Sequence, residues 1–111
     1  MVTKELILGH SFVKRLFDFI RRSNYHGVDL NMNLDPSREN VYLRGYPGGN
    51  VEVINTWLDE VRRLQPDLVF LQIGSNVLCK QKNSVMDVAR GIIEFVLKLR
   101  YSYGVHKVAV L

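Results

Sequence analysis

Cysteine is nearly absent from this chain. Its single thiol, Cys79, excludes an internal disulfide framework and any cysteine-based zinc cluster. A chain without disulfides suits a reducing compartment, so an intracellular location is expected. Long apolar runs are missing too: the longest extend only about four to five residues, far short of the ~20 a membrane-spanning helix needs. The N-terminal Met1-Val2-Thr3-Lys4-Glu5 has no signal-peptide layout. There is no internal repeat, no low-complexity tract and no His/Asp/Glu spacing that would ligate a metal. No Gly-Lys-Ser/Thr phosphate loop and no dinucleotide fingerprint occur. Neither a metal nor a cofactor is therefore expected.

What is present is ordinary globular material. The 111 residues make one domain, 1–111, with 47% hydrophobic and 23% charged residues. Lysine and arginine outnumber aspartate and glutamate by 15 to 11, a mild basicity that permits anionic partners without requiring them. The pairs Lys14-Arg15, Arg21-Arg22 and Arg62-Arg63 read mainly as solvated helix faces, with a nucleic-acid patch as the alternative.

Apolar periodicity alternates between two lengths. Glu5-Leu6-Ile7-Leu8 reads as a buried strand ending at Gly9, and Phe12 to Arg22 as an amphipathic helix. Phe12, Val13, Leu16, Phe17 and Ile20 form its inner face, and Ser11 stands where an N-cap would. Residues 23–39 are polar and read as a loop. Asn40 to Arg44 is a second strand, followed by an amphipathic helix with Val51, Ile54, Trp57, Leu58, Val61 and Leu64 spaced mostly three or four apart. Leu68 to Ile73 is a nearly continuous apolar run, as in a strand covered on both faces. A third helix is expected over Ser84 to Arg100, with Val85, Val88, Ala89, Ile92, Ile93, Val96 and Leu99 inward. Lys107 to Leu111 opens a fourth strand, whose apolar edge invites self-association.

The order β-α-β-α-β-α-β predicts a flavodoxin-like α/β domain with a parallel sheet in strand order 2-1-3-4 and helices on both faces. Such sheets bind ligands beyond the carboxyl ends of their strands, at a topological switch point. That directs attention to Gly9-His10-Ser11, Gly45 to Asn50, and Gly74-Ser75-Asn76. Each is weak alone: Ser11 suits a helix cap, the glycines suit a turn, and Asn76 suits a loop.

Taken in order, strand-Gly-x-Ser, strand-Gly-x-x-Gly and strand-Gly-x-Asn resemble the first three sequence blocks of the SGNH (GDSL-like) hydrolase superfamily. Leu6-Ile7-Leu8-Gly9-His10-Ser11, Gly45-Tyr46-Pro47-Gly48 and Pro66 to Asn76 carry the resemblance, which spans essentially the whole chain. It implies ester hydrolysis on a small-molecule or lipid-like substrate, with Ser11 as nucleophile. The oxyanion would be held by the backbone N–H groups of Ser11 and Gly48 and by the Asn76 side chain. His10 stands where the family has aspartate, and Val77 replaces the aspartate that commonly follows the asparagine. The family's Asp-x-x-His block does not occur in these residues, which end inside the fourth strand, so the resemblance implies a domain continuing beyond Leu111 or one without its base. Of the three histidines, His26 and His106 are placed far from the crevice, leaving His10 as the sole nearby base and one that needs an unusual turn to reach Ser11. The alternative reading is a non-catalytic α/β interaction domain on the same scaffold, with nucleic acid as a partner.

Overall fold

The computed structural model describes residues 2–22, 27–46, 51–72 and 85–110. Four strands, β1 (Thr3–Gly9), β2 (Glu39–Gly45), β3 (Leu68–Gln72) and β4 (Lys107–Val110), form one sheet. Its order is β2-β1-β3-β4 and every neighbouring pair is parallel. The helices α1 (Ser11–Arg22), α2 (Val51–Leu64) and α3 (Val85–Tyr101) make the crossovers. This is a small flavodoxin-like α/β fold, in the strand order expected from the sequence. Among the described residues, no helix is long and apolar enough to cross a membrane.

Strand alternation sorts the core into two layers. Leu6, Leu8, Val69 and Leu71 point to one face, where they meet Trp57, Leu58 and Val61 of α2 and Phe95 and Leu99 of α3. On the other face, Leu43 packs with Val13 and Ile20 of α1, and Ile7, Leu16 and Phe17 complete the cluster. The first layer is the larger, and the indole of Trp57 at its centre is fully buried.

Helix faces depart from the expected pattern in two places. Phe12 is 62% exposed, whereas its neighbour Val13 is the residue of the first turn of α1 that enters the core. In α3 the inward residues are Phe95 and Leu99, while Ile93 is 57% exposed and Ala89 is also exposed. Leu99 and Val96 of the expected stripe do face the core, while Phe95, outside that stripe, joins them against Trp57, ring centre to ring centre at 6.0 Å. The side chains of Val85 and Val88, and Ile73 at the expected end of β3, lie outside the described residues.

The two sheet edges are finished differently. Along β2, Asn31 acts as a short stand-in for a neighbouring strand. Its Oδ1 accepts the Val41 N–H at 2.7 Å and its Nδ2 donates to the Glu39 carbonyl at 2.9 Å. Asn31 is itself held by Asp29 Oδ1, which accepts its backbone N–H at 2.9 Å. Along β4, no hydrogen bond among the described residues reaches the outward backbone groups.

Candidate active site at the strand ends

The crevice is built where β1, β2 and β3 end together. Gly9 lies opposite both Gly45 and Gln72 in the sheet register, and the Tyr46 N–H donates to the Gly9 carbonyl at 2.9 Å. The helices that follow β1 and β3, α1 and α3, pack on opposite faces of the sheet, which makes this end its switch point.

The glycines have a direct steric reason. A Cβ on Gly45 would come within 2.6 Å of the Lys14 Cα and 2.8 Å of the Val13 carbonyl carbon, and closer still to the Lys14 nitrogen. A Cβ on Gly9 would overlap the Val13 side chain and approach the Gln72 Oε1 to 2.8 Å. The first turn of α1 is thus seated directly on the ends of β1 and β2. The positive end of the α1 dipole therefore stands at the ends of these strands.

Ser11 is not the cap of this helix. The Lys14 N–H bonds to the His10 carbonyl at 3.2 Å, so His10 accepts the first helical bond and holds the N-cap position, leaving Ser11 as the first helical residue. One residue of offset follows from the seat on Gly45, which draws Val13 and Lys14 down onto the strand end. The Ser11 side chain lies outside the described residues.

His10 turns away from α1. Its ring lies 5.2 Å from that of Trp57, in the core layer on the opposite face of the sheet, and its backbone N–H donates to Gln72 Oε1 at 3.3 Å. Adjacent residues leave a strand end toward opposite faces, and His10 follows that rule. His106 immediately precedes β4, at the opposite end of the sheet. Gly48, Asn76, Cys79 and His26 lie outside the described residues.

Two features of the crevice wall went unread in the sequence. Gln72 joins the ends of β1 and β3, and the only signal for it is a polar residue inside an apolar strand. Glu60 on α2 gathers three partners: Arg44 Nε donates to it at 2.9 Å, the Tyr46 hydroxyl at 3.2 Å and Arg63 at 2.6 Å. The Glu60 side chain is only 15% exposed, so these bonds are shielded. Burial, and then the neighbouring Glu60 charge, push the Tyr46 hydroxyl above its usual pKa of 10.0 and keep it a donor. Glu60 thereby pins the start of the Gly45-Tyr46-Pro47-Gly48 segment to α2. Sixteen residues separate Arg44 from Glu60, and nothing in local spacing marks the pair.

No protein-family model matches this sequence, and no curated protein matches it.

Proposed function

We propose that this domain carries the nucleophile and oxyanion half of an SGNH-type serine esterase site. Ser11 attacks an acyl carbonyl to give an acyl-enzyme, and the oxyanion is received by the N–H groups of Ser11 and Gly48 and by the Asn76 amide. The observation that supports this most is the seating of the α1 N-terminus on Gly9 and Gly45, which holds the Ser11 backbone and the start of the Gly48 segment at one crevice. His10 is not the base in this reading, because its ring is committed to Trp57 on the far face. Serine is a poor nucleophile without a base in reach, so the 111-residue chain alone turns over esters slowly or not at all.

Imidazole added to the solution can supply the missing proton acceptor. The test is hydrolysis of p-nitrophenyl acetate over a range of imidazole concentrations, taking the rate of the chain minus that of its Ser11→Ala variant. A difference that grows with imidazole, and that Asn76→Ala lowers by about two powers of ten, supports the site. Identical rates for the chain and Ser11→Ala at every concentration overturn it. The competing reading is a scaffold without chemistry. Its nucleic-acid form requires binding to DNA or RNA that weakens steeply with salt.

A further inference from the structure

Helix α1 begins without a cap partner of its own. In a capping box the third helical residue is glutamate or glutamine, and its side chain reaches back to the N–H of the N-cap residue. Here the N-cap is His10 and the third helical residue is Val13, which has no acceptor. The acceptor comes from the neighbouring strand instead. Gln72, the last residue of β3, lies 62 positions away, and its Oε1 accepts the His10 N–H at 3.3 Å in a half-buried setting. Strand alternation places Val69 and Leu71 in the larger core layer and so turns Gln72 to the α1 face. Gly9 stands opposite it in the register, and a Cβ there would come within 2.8 Å of Gln72 Oε1 and 3.0 Å of Gln72 Cβ. The missing side chain at Gly9 is what lets Gln72 lie across the end of β1.

That space has a mechanical consequence. Glycine is the least restrained residue, so a strand that ends on Gly9 enters α1 through a soft joint. A bond to the next N–H removes that freedom, because it fixes the Gly9–His10 peptide against β3 just before Ser11. We propose that Gln72 is a positioning residue for Ser11: by accepting the His10 N–H it locks the turn on which Ser11 stands. The proposal rests on the reading of Ser11 as nucleophile. Gly74-Ser75-Asn76 follows Gln72 by only two residues in the sequence. Gln72 therefore joins the nucleophile turn to the strand from which the Asn76 segment continues. Nucleophile and oxyanion donors must keep a fixed mutual geometry, and an error of about 1 Å can cost about two powers of ten in rate.

Two variants separate the bond from packing. Gln72→Met keeps the length and bulk of the side chain and removes the acceptor, whereas Gln72→Glu keeps an acceptor. Amide hydrogen exchange, followed by NMR on the isotope-labelled 111-residue chain, reads the bond directly. In Gln72→Met the His10 N–H is expected to exchange about tenfold faster, with Leu6 and Leu8 of β1 unchanged, and in Gln72→Glu to stay protected. Ser11-dependent hydrolysis of p-nitrophenyl acetate in imidazole should follow the same order. There kcat falls about tenfold in Gln72→Met while KM holds, and Gln72→Glu restores the rate. Unchanged His10 exchange in Gln72→Met overturns the proposal, as does faster exchange with an unaltered Ser11-dependent rate, or a rate lost equally in both variants. If the unmodified chain has no Ser11-dependent rate, the esterase reading fails on its own, and the His10 exchange still decides whether Gln72 locks the turn.

Discussion

Replacing Gly45 by alanine adds one methyl group at the place where α1 meets the sheet, and the cost follows from what that methyl would touch. Its neighbours are backbone atoms of Val13 and Lys14, the nearest of them well inside van der Waals contact. Backbone cannot rotate aside as a side chain does, so the first turn of α1 must lift by about 1 Å to restore carbon contacts of ordinary length. Lifting it loosens Val13, which is 1% exposed in the smaller core layer. A destabilisation of about 3 kcal/mol is expected, at the upper end of the usual range for overpacking. For a domain holding about 5–15 kcal/mol, this is a large fraction of its stability. With a urea m-value of about 2 kcal/mol/M, the midpoint falls by about 1.5 M. Trp57, the sole tryptophan and fully buried, reports the transition by fluorescence. Gly104→Ala is the control: Gly104 has φ 72° with open space around it, so alanine there meets only left-handed backbone strain, about 1–2 kcal/mol. Gly9→Ala should fall between them, since Val13 and Gln72 side-chain atoms block that site and side chains can shift. If Gly45→Ala costs no more than Gly104→Ala, the seat of α1 is looser than described and the argument fails.

Glu5 has its carboxyl held above the ordinary pKa of 4.5, first by burial and then by the hydrogen bond and charge of Glu39. A raised carboxyl pKa favours the fold at low pH and penalises it as pH rises through the folded value. Glu5→Gln should therefore stabilise the domain at pH 7, by about 0.5 kcal/mol, and the gain should vanish at pH 3 in thermal melts; a gain that persists there refutes the assignment. Asp35 is the opposite case: the Ser37 backbone N–H, then its hydroxyl, lower its pKa below 3.8. Asp35→Ala should destabilise at pH 7, with the deficit fading as pH falls through the lowered value. Glu60→Ala leaves the half-buried Arg44 guanidinium and the Tyr46 hydroxyl without their acceptor and should cost about 1–3 kcal/mol in urea unfolding. A loss below about 0.5 kcal/mol would show that water replaces the carboxylate at little cost.

Legibility tracked the range of the interaction concerned. The alternation of strand and helix is written in local periodicity, and parallel-sheet rules convert it into strand order with few choices left. Boundaries of α1 and β3 came within a residue for the same reason. What local pattern could not supply was the partner across the sheet. Ile93 is expected inward from the sequence and Phe95 is not, yet Phe95 enters the core against the Trp57 ring and Ile93 is exposed. Ser11 looks like a cap until α1 is seated on Gly45, which moves the cap to His10. The Glu60 cluster joins residues from a strand, a turn and a helix, and the Asn31 cover reaches Val41 across ten positions. Neither leaves a periodic trace.

The structural account also changes the weight each motif residue carries. Gly9 and Gly45 are demanded by the approach of α1 to the strand ends, whatever the domain does, because any larger residue at Gly45 strikes backbone. They would be glycine in a domain with no chemistry at all. His10 likewise has a full structural role, capping α1 through its carbonyl and packing its ring on Trp57. Two of the residues that build the resemblance, Gly9 and Gly45, are therefore accounted for by packing, and they bear on the scaffold more than on a reaction. The discriminating positions are those to which the proposed reading gives a chemical role: the hydroxyl of Ser11, the N–H of Gly48 and the amide of Asn76. As the first helical residue, Ser11 is relieved of the capping duty that would otherwise explain a serine there. Ser11→Ala separates the proposed reading from a scaffold without chemistry most cleanly, since it leaves the scaffold glycines and the His10 cap untouched.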